Sequence, residues 1–457
     1  MHLALLGFMG VMMVYAMRSS LSFSIVCMVN STVNGTLIWP KSVQGSVLSA
    51  FFWGYTFSQI ISGYLASLYG AKLVLGASML FASLLTLISP FAALKSVYLF
   101  LGIRALLGFF QGSTFPAFHT LWSVWAPPLE RSLLTGINYA GGQLGNVLVM
   151  PLSGFLCKYG FAGGWPSIYY ILGFGGLMWC FLWFYFASDT PSRNRRITGE
   201  ERKYIEESLK ETLIKNSSQK YLIKSVMKIS STKFKFKIPW HEICTSVPVW
   251  ATIIGHFAGD WGSYMMVTSL PLFMNDVFGF DLFSLGFLSA IPYIAYFASI
   301  NIGGIVCDKL RSAEILSTIA TRRLAMCLGL GCQAIFLILS GYCGCNQETL
   351  VVVFLTLSIG MSGLQYAGFV VNYLDIAPNF AGTLLGIGNT LSCLAGSLCP
   401  LLVGWLTPNG TKEEWQLVFW ITGAILIIGT LIFSIFAKGN IQQWLEKFQL
   451  ITIDKNR

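Results

Sequence analysis

The chain has 457 residues, of which 55% are hydrophobic, 15% aromatic and only 11% charged, with a formal net charge of +10. A soluble domain is about 25% charged and keeps a wet surface, so this composition excludes a soluble enzyme, a disordered chain and a disulfide scaffold. The apolar runs are also too long for a transmembrane barrel, whose strands alternate polar and apolar residues. We therefore predict an all-α polytopic membrane protein.

Twelve apolar runs are long enough for a membrane-spanning helix, which needs about 20 residues. The predicted spans are 3–29, 45–67, 72–94, 96–122, 132–156, 165–188, 247–274, 284–307, 316–341, 349–374, 382–406 and 415–437. The segment between Asp189 and Glu242 holds 20 of the 48 charged residues. We therefore expect a six-helix N-terminal half at 1–188 and a six-helix C-terminal half at 247–437. A charged cytosolic linker at 189–246 joins them, and a cytosolic tail at 438–457 follows.

The distribution of positive charge predicts the orientation. Without the long linker, the loops on one side carry 10 Lys and Arg residues and those on the other side carry 4. The positive-inside rule places the first set, and both termini, in the cytosol. Three predicted glycosylation sites, Asn30, Asn34 and Asn409, fall on the opposite side, where glycans are attached. The sequon at Asn216 lies in the linker and should stay unmodified.

Other sequence features argue against a nucleic-acid partner, a metal or an organic cofactor. No basic stripe with interleaved aromatic residues occurs, so the positive charges indicate cytosolic loops. No Cys/His spacing is typical of zinc, and no phosphate-binding loop is present. We place Cys343 and Cys345 near the non-cytosolic face and favour two free thiols there. The other cysteines are scattered through the spans as small hydrophobic residues would be.

Three strong charges lie well inside the predicted spans, where ionisable groups are costly and usually functional. They are Arg18, Arg104 and Asp260. Their sum of +1 favours an anion in the central cavity, and the fork of a guanidinium group suits oxyanions. The structural alternative is that the arginines bond helix carbonyls or pair with Asp260.

Helical spacing groups further residues with the two arginines. Arg104, Gly108 and Gln111 recur at i, i+4 and i+7 and share one helical face. Gly108 leaves room there for a substrate or for a closely packed helix. Tyr15 shares a face of the first span with Arg18.

Asp260 is the carboxylate that we place near the middle of a span. It could carry the coupling proton, help to hold a sodium ion, or be a structural partner of an arginine in the other half. His256 lies one turn before it and could influence its protonation. A single histidine in a helix is, however, more commonly structural.

Several motifs are spread along the whole chain. Residues 51–55 read Phe-Phe-Trp-Gly-Tyr, 125–131 read Trp-Ala-Pro-Pro-Leu-Glu-Arg, 245–250 read Thr-Ser-Val-Pro-Val-Trp and 372–378 read Asn-Tyr-Leu-Asp-Ile-Ala-Pro. This set resembles the signature of the anion:cation symporters of the major facilitator superfamily, which include sialin, the vesicular glutamate transporters and the sodium–phosphate cotransporters. The resemblance implies a 12-helix major facilitator fold in two six-helix halves.

By this resemblance, Arg18 and Arg104 match the family's substrate-binding arginines of the first and fourth helices. The vesicular glutamate transporters have a histidine where this chain has Leu48 and an arginine where it has Gly259, which disfavours glutamate. Sialin and the glutamate transporters have a glutamate, implicated in proton coupling, at the position of Gln111. Proton coupling through this position is therefore in doubt, and the sialin-like and phosphate-like branches stay open.

We therefore predict a secondary transporter, not an enzyme, that moves a small organic or inorganic anion by alternating access. The anion would be sialate-like, phosphate-like or related, and the coupling cation would be a proton or sodium. The alternative is a transport-inactive receptor or scaffold. We expect a functional monomer in the plasma membrane or in a lysosomal or vesicular membrane. The predicted residues are Arg18, Arg104, Tyr15, Tyr55 and Gln111 for the substrate, Asp260 for coupling, and Asp308, Glu130 and Arg131 for a cytosolic gate.

Overall fold

The computed structural model describes residues 2–29, 37–127, 131–194, 196–216, 239–344, 346–377 and 380–444. All regular structure in these ranges is helical. The helices are α1 (His2–Val29), α2 (Lys41–Tyr69), α3 (Ala71–Lys95), α4 (Val97–Gln111), α5 (Thr114–Trp125), α6 (Arg131–Tyr159), α7 (Pro166–Phe186), α8 (Gly199–Asn216), α9 (Trp240–Thr245), α10 (Val247–Phe278), α11 (Leu282–Ser312), α12 (Thr318–Met326), α13 (Cys332–Tyr342), α14 (Glu348–Ser362), α15 (Val371–Ile376), α16 (Ala381–Leu406) and α17 (Lys412–Phe436).

Each of the twelve predicted spans corresponds to one long helix or to two helices in series. Ten of these segments are long and apolar enough to cross a membrane by length and composition. The other two are α2 and α10, which are 29 and 32 residues long but more polar. The polar residues of α10 include His256, Asp260 and Asp276. The prediction of an all-α polytopic protein with twelve membrane helices is confirmed.

Three spans that were predicted as continuous helices are interrupted. The fourth breaks between α4 and α5 at Gly112, where an added Cβ would lie 2.0 Å from the Oγ of Ser58. The ninth and tenth contain π-helical turns at Cys327–Gly331 and Tyr366–Val370. Such turns often occur at functional sites. The interruptions depend on packing between helices, which hydropathy does not report.

The two halves meet along three helix pairs, α2 with α16, α6 with α11, and α1 with α10. The backbones approach most closely where α2 begins. A Cβ on Gly45 would lie 2.4 Å from the carbonyl oxygen of Pro400 and 3.2 Å from the Cα of Gly404. We call this side the closed face; α1, α6 and α10 end there. The terminal face is the opposite side, where α1 begins and α17 ends.

A disulfide joins Cys27, near the end of α1, to Cys157, near the end of α6. The expectation that the cysteines other than Cys343 and Cys345 are isolated small hydrophobic residues is therefore wrong for Cys27 and Cys157. Cys343 is a buried free thiol, and Cys345 lies outside the described residues. Cys27 and Cys157 are 130 residues apart, so only the packing of α1 on α6 brings them together.

Candidate functional site

Arg18 lies at the boundary between the two halves, inside a group of aromatic rings that we call the aromatic cage. Its guanidinium carbon lies between 4.7 and 5.6 Å from the ring centroids of Tyr15, Phe51, Phe52, Tyr55 and Tyr264. Four of these rings come from α1 and α2, and the ring of Tyr264 comes from α10. A cation close to an aromatic face gains about 0.5–2 kcal/mol. The cage therefore helps to hold the charge of Arg18 between the halves.

Arg104 lies behind Arg18, inside the N-terminal half. Its Nη2 donates to the carbonyl oxygen of Arg18 at 3.4 Å, while its Nε and Nη1 have no hydrogen-bond partner among the described residues. The side chain is only 2% exposed. A buried donor without a partner costs about 1–3 kcal/mol, and more when it is charged. Arg104 therefore presents two unsatisfied charged donors in the interior.

Gly108 brings α4 close to α2 beside Arg104. A Cβ on Gly108 would lie 1.8 Å from the carbonyl oxygen of Phe51. The residue that was expected to leave room for a substrate or a helix therefore makes room for α2. Phe51 also lies 5.5 Å from the guanidinium carbon of Arg104, so this close approach brings both arginines to the same ring.

Gln111 contacts α1 and lines a cavity inside the N-terminal half, and none of the five rings of the aromatic cage is among that cavity's lining residues. Its Nε2 lies 3.8 Å from the Sδ of Met17, and its Oε1 has no partner among the described residues. It lines a small cavity with residues of α1, α3, α5 and α7, namely Gly10, Val14, Leu75, Ser78, Met79, Thr114, Phe118 and Trp179. Among the predicted substrate residues, the structure brings Tyr15, Arg18 and Tyr55 together, places Arg104 next to them and separates Gln111 from them.

Neither arginine forms an ion pair with a carboxylate within the described part of the chain. The Oδ2 of Asp260 lies 3.3 Å from the Nε2 of His256, one turn earlier on α10. The Nδ1 of His256 in turn lies 3.2 Å from the hydroxyl of Tyr373 on α15. Asp260 therefore has a partner on its own helix, and the positive charges of Arg18 and Arg104 remain uncompensated by it.

The C-terminal half contains buried polar side chains that the sequence did not single out. Gln365 donates to the Oγ of Ser263 at 3.3 Å, and the hydroxyls of Tyr296 and Tyr366 lie 3.3 Å apart. The amide of Gln333 is fully buried, and both of its polar atoms lack partners among the described residues. Glutamine is uncommon in an apolar span. The presence of Gln333 and Gln365 inside two predicted spans was therefore the sequence feature that could have indicated these buried polar groups.

The predicted gate and glycosylation residues are only partly described. Asp308 is exposed at the terminal face, and its carboxylate lies 3.7 Å from Arg311 on the same helix. Arg131 begins α6, but its side chain is not described. Glu130, Asn30 and Asn34 lie outside the described residues. Asn409 is exposed in the turn before α17, and its Nδ2 donates to Glu414 at 2.9 Å.

An ion pair between the halves, which the sequence did not reveal, lies at the closed face. Lys41 at the start of α2 bonds the carboxylate of Asp276 near the end of α10. The Nε1 of Trp415 on α17 also donates to Asp276, at 3.2 Å. The sequence did not indicate this pair, because Lys41 and Asp276 lie 235 positions apart.

Comparisons with known proteins agree with this architecture. The family description "Major Facilitator Superfamily" matches residues 7–400. A Caenorhabditis elegans protein named uncharacterized transporter slc-17.2 is 52% identical over 97% of this chain and 92% of its own length. Human sialin is 39% identical over 97% of this chain and 90% of its own length. Human vesicular glutamate transporter 2 is 38% identical over 97% of this chain and 74% of its own length.

Two solved structures share the fold at low sequence identity. The inward-open xylose transporter XylE from E. coli superposes with a TM-score of 0.71 at 14% identity, covering 98% of this chain and 99% of its own. A bacterial homolog of the human lysosomal transporter Spinster, inward-facing and occupied, gives 0.69 at 13% identity and covers 94% and 95%. The chain therefore belongs to the anion:cation symporter family of the Major Facilitator Superfamily, a family of secondary transporters that work by alternating access.

Proposed function

We propose that this protein transports a small anion, sialate-like, phosphate-like or related, that binds between Arg18 and Arg104. One observation carries the proposal: the buried guanidinium of Arg104 has two unpartnered nitrogens and no carboxylate counter-ion among the described residues. A charged group in the membrane interior costs about 2.5–3.5 kcal/mol even on the mildest scales. An oxyanion would supply the missing acceptors and the missing negative charge.

The aromatic cage supports a site that changes with the transport cycle. Tyr264 belongs to α10 and the other four rings belong to α1 and α2. Movement of one half against the other would therefore take Tyr264 away from Arg18. A site at this boundary would open to one side or the other as the halves move, which is how a carrier with a midplane site works.

We propose Asp260 as the coupling residue, with a proton as the coupling cation. Gln111 cannot titrate, and it lies in a cavity of the N-terminal half away from the arginines. Asp260 is 9% exposed and lies near the middle of α10. A sodium-driven carrier is the other outcome, and independent variation of the sodium and proton gradients separates the two.

We further propose that the closed face is non-cytosolic and that both termini lie in the cytosol. The disulfide between Cys27 and Cys157 supports this orientation, because disulfides persist in oxidising compartments and not in the cytosol. The positive charge of the loops on the terminal side supports it independently. Relatives named sialin and vesicular glutamate transporter favour a lysosomal or vesicular membrane, with the plasma membrane as the other candidate.

Uptake by proteoliposomes tests the transport proposal. The purified protein is supplied with labelled sialate, phosphate, urate, glutamate and aspartate while sodium and pH are varied independently. We expect accumulation of at least one anion other than glutamate under an imposed proton gradient. Anion-dependent thermal stabilisation without uptake would instead indicate a transport-inactive receptor. Absence of both, for every anion of the panel, would contradict an anion site.

A further inference from the structure

We propose that His256 and Tyr373 form a proton path from Asp260 to the terminal face, so that the coupling proton leaves through the C-terminal half. This inference rests on the proposed function, because it needs a carrier that is driven by protons. It adds two residues and a direction to the role proposed for Asp260. It also places the proton in a different half of the molecule from the two arginines.

The three groups are in hydrogen-bonding order. The Oδ2 of Asp260 lies 3.3 Å from the Nε2 of His256, and the Nδ1 of His256 lies 3.2 Å from the hydroxyl of Tyr373. All three are buried, with exposed fractions of 9%, 4% and 1%. Both ring nitrogens of the imidazole are therefore engaged, one towards the carboxylate and one towards the phenol, as a relay requires.

The order of the groups also follows the membrane normal. Asp260 lies 13 residues and His256 lies 9 residues after Val247, where α10 begins at the terminal face. At 1.5 Å per residue these positions are about 20 and 14 Å from the start of the helix. Tyr373 lies three residues before α15 ends at Ile376 on the same face. The backbone positions of the three residues therefore approach the terminal face in the order Asp260, His256, Tyr373.

The surroundings hold the imidazole in place. The ring of Phe369 stacks on that of His256, with 4.3 Å between centroids and 20° between planes. Phe369 belongs to the π-helical turn at Tyr366–Val370, where the tenth span departs from regular α-helix. A Cβ on Gly388 of α16 would lie 2.3 Å from the hydroxyl of Tyr373 and 2.7 Å from the Nδ1 of His256. Glycine at 388 therefore leaves the hydroxyl and the ring nitrogen free to meet.

No lysine or arginine is paired with Asp260 within the described residues. Titratable side chains close to it come from α1, α10, α11, the tenth span and α16; they are Tyr15, Tyr264, Tyr296, Tyr366, Tyr373 and Cys393. These phenols and this thiol are neutral when protonated. The cation next to this group is Arg18, whose guanidinium carbon lies 5.0 Å from the ring centroid of Tyr264, four residues after Asp260 on α10. Arg18 is separated from Asp260 by that ring and forms no ion pair with it among the described residues.

One proton enters the path at Asp260 and one proton leaves it at Tyr373. Asp260 first takes a proton from the closed side, next to an imidazole protonated on Nδ1. The O–H bond of Asp260 breaks as Nε2–H forms, Nδ1–H breaks as an O–H bond forms on Tyr373, and the original phenolic proton passes to water that must enter from the terminal face, because Tyr373 is 1% exposed in this state. Asp260 is then a carboxylate again, Tyr373 is neutral, and the imidazole carries its proton on Nε2. During the return of the empty carrier, Nε2–H gives its proton to water and Nδ1 takes one from water on the same side of the membrane, which restores the first tautomer with no net proton movement.

The test compares two activities of the same proteoliposomes. Counterflow at equal pH reports substrate exchange, and uptake under a pH gradient reports proton coupling; a pH-sensitive dye in the lumen records proton movement. The variants are His256→Gln and Tyr373→Phe, the second of which removes one oxygen atom. Tyr293→Phe is the matched control, because Tyr293 is buried in the same half and its hydroxyl has no partner among the described residues.

We expect the ratio of pH-driven uptake to counterflow to fall about tenfold or more in both variants, below the roughly 100-fold effect of losing a general acid–base group outright. Proton movement should fall with it, and the control should keep the ratio of the unmodified protein. A normal ratio in Tyr373→Phe would overturn the path even if His256→Gln failed to fold. Uptake driven by sodium alone would also overturn it. Absence of counterflow in the unmodified protein would instead refute the proposed transport function.

Discussion

The Nζ of Lys41 lies 2.6 and 2.5 Å from the two carboxylate oxygens of Asp276, and this pair joins the first residue of α2 to the end of α10. The two side chains are 17% and 10% exposed. Trp415 adds a third bond to the same carboxylate. Because α2 and α10 belong to different halves, the pair must break whenever the closed face opens. Lys41 and Asp276 therefore form a gate on the side opposite to the predicted gate at Asp308.

Removal of this gate should shift the protein towards states that are open at the closed face. A hydrogen bond to a charged group contributes about 1.5–3 kcal/mol, which is roughly 10- to 100-fold in a population. We expect Lys41→Ala to lengthen the distance between spin labels at Ser42 and Glu413, both of which are exposed. Lys412→Ala is the control, since Lys412 bonds the carbonyl of Tyr342 within the same half. An unchanged distance distribution in Lys41→Ala would show that the pair does not hold the face closed.

Loss of the Cys27–Cys157 disulfide should lower thermal stability without abolishing the fold. The bond closes a loop of 130 residues, and disulfides typically contribute about 2–4 kcal/mol. We expect Cys27→Ser and Cys157→Ser to lower Tm by similar amounts, and the double variant to be no worse than either. Cys244→Ser, which removes an exposed free thiol, should leave Tm unchanged. Recovery of the Cys27 and Cys157 peptides as separate thiols from unreduced protein would contradict the pairing.

Glycan attachment should report the orientation. Asn409 is exposed, in a turn that ends with Gly410 at a φ of +67°. We expect a glycosidase-sensitive mobility shift that becomes smaller in Asn409→Gln, as a non-cytosolic closed face requires. Asn216, at the end of α8, is the internal control and should carry no glycan. A glycan on Asn216 of the full-length protein would reverse the predicted topology.

Gln111→Glu should increase the pH dependence of transport. The substitution introduces a titratable carboxyl at a site that is 1% exposed, next to Met17 and without a lysine or arginine among the cavity residues. Burial disfavours the charged form of that carboxyl, so loss of its proton is costly. Initial uptake rates measured between pH 5 and pH 8 check the prediction, with Gln111→Met as the control for lost amide bonds. A pH profile that matches the unmodified protein would show that the position is isolated from transport.

The sequence predicted the helices well because hydropathy and length are properties of each segment alone. It also directed attention to Arg18, Arg104 and Asp260, since any charge inside an apolar span stands out. It did not predict which of these groups meet. The pairs Lys41–Asp276 and His256–Tyr373 join residues 235 and 117 positions apart. Such contacts depend on how helices pack and rotate against one another, and one sequence carries no direct record of that packing.

The same limit applies to the partner of Asp260. A structural pair with an arginine of the other half was one of the alternatives that the sequence left open, beside a coupling proton and a sodium ion. In the structure the carboxylate meets His256, at i−4 on its own helix. The i, i+4 spacing was visible in the sequence, but the choice between a local and a distant partner depends on the position of Arg18 within its aromatic cage.

The central claim is that Arg104 binds the transported anion, and anion uptake by Arg104→Lys tests it most directly. Loss of a charge-assisted bond to a desolvated anion costs about 2–5 kcal/mol, or roughly 30- to several-thousand-fold in rate. The control is Arg196→Ala, which removes an exposed guanidinium that lies after the end of α7 and stacks on Tyr185 and Phe186, the last two residues of that helix. We predict that Arg104→Lys retains little uptake, because an ammonium group lacks the two parallel donors, while Arg196→Ala transports normally. Normal uptake by Arg104→Lys, with the protein correctly inserted, would contradict anion binding by the guanidinium fork.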